Sequence, residues 1–98
     1  MASRIGCACR RLFMRVFTYT VKDPEGIHAL PAGGLIKLAG TFSSSITAQG
    51  NGGSVDLKHL FGVMSLGIKC GERITIICDG EDEAGAEAAL LRYLQDNL

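Results

Sequence analysis

Four short segments of this chain alternate apolar residues with polar or small ones, so each can bury one face and leave the other to water. In Arg15–Val21 the buried candidates are Phe17, Tyr19 and Val21. Ser44–Gln49 and Ser54–Leu57 flank the turn cluster Gly50-Asn51-Gly52-Gly53 and so read as a hairpin. Glu72–Cys78 directs Ile74, Ile76 and Cys78 one way. Strands with one polar face build an antiparallel sheet covered on one side, not a parallel sheet buried on both.

Helical periodicity fills the gaps. Ala32, Leu35, Ile36 and Ala39 form a stripe with Pro31 in the first turn and Gly40 as a stop. Lys58–Leu66 reads as a short helix with Leu60, Phe61 and Met64 on one face. Asp79 to Glu83 opens the last helix, with Asp82 as cap and Ala84, Ala88, Leu91 and Leu94 as its stripe. The order is βαββαβα. The expected fold is α+β, a two-layer open-faced sandwich. Gly33 and Gly34 each cost about 1 kcal/mol relative to Ala inside a helix. They fit either a weak helix start or close approach by a partner, and the sequence leaves both open.

At 98 residues one domain is expected. Residues 1–13 carry Arg4, Arg10 and Arg11 and no acid, and they read as an N-terminal extension ahead of a domain at 14–98. The domain then holds seven basic and ten acidic residues, a balance that argues against nucleic acid as a partner. No stretch is long and apolar enough for membrane insertion. Cys78 lies in an apolar run and reads as core. Cys7-Ala8-Cys9 has no second Cys or His pair at zinc spacing, so no metal site is expected. Reduced thiols fit a cytoplasmic location.

His28 stands where loop meets helix in Gly26-Ile27-His28-Ala29-Leu30-Pro31-Ala32. The first amides of a helix lack internal acceptors and form an anion site with the positive end of the dipole. A phosphoryl group on His28 would therefore meet the amides of Ala29 and Leu30. Imidazole, with an ordinary pKa near 6.5, offers a neutral nucleophilic nitrogen at pH 7.

These residues, with Phe42, Ser44, Ile46, Asn51-Gly52, Lys58, Leu60-Phe61, Leu66-Gly67 and Gly80-Glu81-Asp82-Glu83, resemble HPr, the histidine-containing phosphocarrier of the bacterial sugar phosphotransferase system. The resemblance runs from Met14 to Leu98. It implies a four-stranded antiparallel sheet with three helices on one face. It also implies a monomeric phosphocarrier, without cofactor and not an enzyme in its own right, that takes a phosphoryl group on His28 from enzyme I. That group would pass to enzyme II A components, with His59, Leu60, Phe61 and Val63 as docking residues. Two positions depart from the family. Its active-site Arg falls on Leu30, which can give a phosphate neither charge nor side-chain hydrogen bonds. Its regulatory Ser falls on His59, which no Ser kinase can modify. The rival expectation is therefore an HPr-like regulatory module with weak or lost transfer. Lys58 is the nearest basic candidate to replace the Arg.

Overall fold

The computed structural model describes residues 14–98; the extension at 1–13, with Cys7 and Cys9, lies outside the described residues. The elements follow the order β1 (Arg15–Thr20), α1 (Ala29–Ala39), β2 (Ser45–Gly50), β3 (Gly53–Asp56), α2 (Leu60–Ser65), β4 (Arg73–Asp79) and α3 (Glu83–Asn97). The strands form one antiparallel sheet in the order β1-β4-β2-β3.

Register explains the single apolar face. Phe17, Ile76, Ala48 and Val55 lie in one row across the four strands, and Tyr19 pairs with Ile74. The neighbouring rows point the other way, with Thr18 and Thr75 hydroxyls 3.0 Å apart. Ile74, Ile76 and Cys78 on the central strand β4 are fully buried under Ala32, Leu35 and Ala39 of α1, Val63 of α2, and Ala86, Leu90 and Leu94 of α3. Burial and the carboxylates of Glu87, Glu83 and Asp82 push the Cys78 thiol up to about 11, which makes it an inert core residue. Asn51 (φ 49°) and Gly52 (φ 80°) form the two-residue hairpin turn, and the Asn51 side-chain Nδ2 also donates to the Leu66 carbonyl at 2.8 Å.

Two faces differ from the sequence reading. In α3 the buried stripe is Ala86, Leu90 and Leu94, while Ala84 and Ala88 are exposed. Alanines at 84, 86, 88 and 89 make every face of this helix mildly apolar, so the leucines, not the alanines, fix its phase. In α2 the core residue is Val63, with Leu60 packed partly against it, and Phe61 and Met64 face outward. A helix of six residues has room for about one inward position per turn. No helix among the described residues is long and apolar enough to cross a membrane.

Candidate functional site

The loop between β1 and α1 is held by backbone contacts before it reaches His28. Leu98, at the end of α3, accepts the amides of Lys22 and Asp23 at 2.6 and 2.8 Å. Gly26 has φ +70°, and a Cβ there would lie 2.5 Å from the Ile68 carbonyl oxygen and 2.7 Å from Lys69 Cα, so only glycine fits. The Ile27 amide then donates to that same Ile68 carbonyl at 2.9 Å. Asp23 closes the turn, its carbonyl accepting the Gly26 amide and its Oδ1 the Glu25 amide, both at 2.8 Å.

His28 leaves this loop in extended conformation as the N-cap of α1, and its side chain makes no capping hydrogen bond. The Ala32 amide bonds to the His28 carbonyl at 3.0 Å. Pro31 has no amide. The amides of Ala29 and Leu30 thus remain as donors with no partner among the described residues, and no acid lies in the first turn of α1. The imidazole is 35% exposed, and a different carboxylate faces each ring nitrogen: Asp23 Oδ2 lies 3.5 Å from Nε2 and Glu25 Oε1 3.7 Å from Nδ1. Leu30 is 84% exposed, outside the core.

Lys58 does not replace the missing arginine. Its ammonium donates to the Phe42 carbonyl at 2.8 Å, just past the C-terminal end of α1. An 11-residue helix is about 16 Å long, so Lys58 and the adjacent His59 sit toward the far end of α1 from His28. His59 is exposed as the N-cap of α2. Phe61 is 86% exposed on a helix that packs against α1, and Leu60 is half-buried. Val63 is 1% exposed, so it supports α2 from within and cannot itself touch a partner. The expected docking set therefore reduces to His59, Leu60 and Phe61, with Leu30 and Met64 as further exposed apolar residues.

The two glycines of α1 now separate. A Cβ at Gly34 would collide with Tyr93 Oη, whose hydroxyl donates to the Pro31 carbonyl at 2.8 Å and ties α3 to the first turn of α1. Nothing lies within 4 Å of the Cβ position at Gly33. Sequence reasoning missed Tyr93, which lies 62 residues from its acceptor and leaves no local signal. Asp23 lies in Asp23-Pro24-Glu25-Gly26, a run whose composition signals a turn and nothing more.

A family described as the PTS HPr component phosphorylation site matches residues 16–96. A histidine-containing phosphocarrier protein of mycoplasma is 39% identical, over 84% of this chain and 93% of its own, at a TM-score of 0.81. The phosphocarrier protein HPr of Bacillus anthracis is 34% identical, over 85% and 99%, at 0.79. Crh, a catabolite repression protein of Bacillus subtilis described as a domain-swapped dimer, is 32% identical, over 82% and 92%, at 0.68.

Proposed function

The chain belongs to the PTS HPr family, and from that premise we propose that His28 takes a phosphoryl group from enzyme I and passes it to an enzyme II A component. The supporting observation is His28 as an uncapped N-cap beside the unpartnered amides of Ala29 and Leu30. In the step, a lone pair on one imidazole nitrogen attacks phosphorus. The new N–P bond forms as the donor's bond to phosphorus breaks, and that electron pair leaves with the donor. The two amides donate to the phosphoryl oxygens, and the other ring nitrogen keeps its proton. The second transfer reverses these roles. The protein works in the cytoplasm as a monomer in this reading, is regenerated by its partners, and is not itself a catalyst.

The second reading is a regulatory module that transfers slowly or not at all. It rests on Leu30: the charged groups paired with the His28 ring are both carboxylates, which oppose a phosphoryl anion, and no guanidinium stands at residue 30. Crh shows by its description that this fold includes members named for repression. Incubation with enzyme I and phosphoenolpyruvate, then with an enzyme II A, separates the two. A carrier gains one phosphoryl group in intact mass and loses it to the acceptor. A module stays unmodified, or gains the group far more slowly and does not lose it to the acceptor.

A further inference from the structure

We infer that Asp23 is a positioning residue for His28, holding the proton on Nε2 so that Nδ1 presents the attacking lone pair. This rests on the phosphocarrier reading above. The starting point is stereochemical. Nδ1 is bonded to the ring carbon nearest the backbone, so a group on Nδ1 stays close to the first amides of α1. Nε2 lies across the ring, farther from them. The unpartnered amides of Ala29 and Leu30 can therefore serve a phosphoryl group on Nδ1. A neutral imidazole can offer Nδ1 only when its single proton is on Nε2.

The structure places a fixed acceptor at that nitrogen. Asp23 Oδ2 lies 3.5 Å from Nε2, an ion-pair distance and not yet a formed hydrogen bond; catalytic hydrogen bonds are often long before the reacting complex forms. Its side chain is 24% exposed, and its other oxygen accepts the Glu25 amide at 2.8 Å. Two further bonds set the backbone of Asp23, one from its amide to the Leu98 carbonyl and one from the Gly26 amide to its own carbonyl, both at 2.8 Å. Glu25, which faces Nδ1 at 3.7 Å, is 76% exposed and has no such anchorage. The two carboxylates are therefore not equivalent: the anchored one faces the nitrogen that must keep its proton, and the free one can leave the nitrogen that must react. When Nδ1 bonds to phosphorus the ring becomes cationic, and the donor's former bonding pair leaves with the donor. The proton stays on Nε2, facing the Asp23 carboxylate, which balances the new charge.

Asp23→Asn tests this with little structural change, because Asn keeps the Oδ1 acceptor for the Glu25 amide. Its Nδ2 then faces Nε2 as a donor and favours the proton on Nδ1. The tautomer is read from imidazole ¹⁵N shifts of the whole protein at pH 8, and phosphoryl uptake from enzyme I is timed in parallel. The expected result is an Nε2–H ring in the parent, a shift toward Nδ1–H in the variant, and uptake slowed about tenfold or more. The proposal is overturned by a parent ring protonated on Nδ1, by a variant with unchanged tautomer, or by a changed tautomer with unchanged uptake. The ¹⁵N readout needs no phosphoryl donor. A protein that shows the Nε2–H tautomer and its reversal but takes no phosphoryl group refutes the carrier reading and leaves the positioning of the ring standing.

Discussion

Two helices of this molecule begin in opposite ways. At the start of α3 the carboxylates are engaged, although the amides of Ala84 and Gly85 have no partner among the described residues. Asp82 accepts the Ser43 amide at 2.8 Å and the Ser44 amide at 3.0 Å, together with both serine hydroxyls. Glu83 accepts the Gly80 amide at 3.0 Å and is buried. The serine bonds, led by the Ser44 hydroxyl, hold the Asp82 carboxyl down to about 2. At the start of α1 two amides are likewise left over, but the cap side chain makes no hydrogen bond and Leu30 projects into solvent. Both helices begin with a residue suited to hydrogen bonding. One uses its side chain to join strand, loop and helix, and the other makes no side-chain hydrogen bond. Unused donors on a rigid helix, beside a nucleophile, mark a site better than the identity of the cap residue does.

The comparison can be broken at either end. The largest stability effect belongs to α3. Ser44→Ala removes a buried donor to an ionised carboxylate and should lower the melting temperature by on the order of 4–8 °C. It should leave phosphoryl uptake unchanged. Slower uptake in a folded Ser44→Ala protein would mean that the two helix starts are coupled.

At α1 the corresponding change acts on rate. Leu30→Arg adds a guanidinium at an exposed position beside the free amides. A charge-assisted hydrogen bond to phosphate contributes about 1.5–3 kcal/mol. Half of that, present only in the transition state, gives roughly a three- to tenfold faster single turnover from phosphorylated enzyme I. No acceleration in a folded variant would show that this site does not use charge at residue 30. Glu25→Gln, which removes an exposed carboxylate 3.7 Å from Nδ1, should help less, by no more than about fivefold.

Neighbouring glycines sharpen the contrast within α1. Gly33→Ala meets open space and should stabilise by up to about 1 kcal/mol, while Gly34→Ala must displace Tyr93 and should destabilise. Thermal denaturation of the pair checks the opposite signs. The smallest effect is on pH. Asp82 is held at about 2 in the folded chain, against about 3.9 for an ordinary aspartate. Its contribution is therefore complete above pH ~4 and is lost as pH falls through about 2. Acid titration of stability should show a shallower limb in Ser44→Ala.

Much of this arrangement was legible in the residues. Phe17, Tyr19, Ile74, Ile76 and Cys78 declared their strands because a sheet covered on one side demands period-two burial. Pro31 and the Ala32, Leu35 and Ala39 stripe placed α1, and with it His28. What stayed hidden was set by distant contacts. Asp82 reads as the cap of its own helix, yet its carboxylate serves serines 38 and 39 residues away. Gly34 answers to Tyr93, and Val63 rather than Met64 faces inward because only the packed sheet decides which side of so short a helix is covered. The Asp23 pairing with His28 depends on a loop clamped by Leu98 and Ile68, neither of which is near it in sequence.

The central claim is that the open helix start of α1 receives a phosphoryl group on His28. The direct measurement is intact mass of the parent and of His28→Ala after incubation with enzyme I and phosphoenolpyruvate, before and after mild acid at elevated temperature. The account predicts one added phosphoryl group on the parent, lost in acid as expected of a phosphoramidate. It predicts none on a His28→Ala protein that melts within a few degrees of the parent. An unmodified parent, or a His28→Ala protein that takes up the group as well as the parent does, would contradict it.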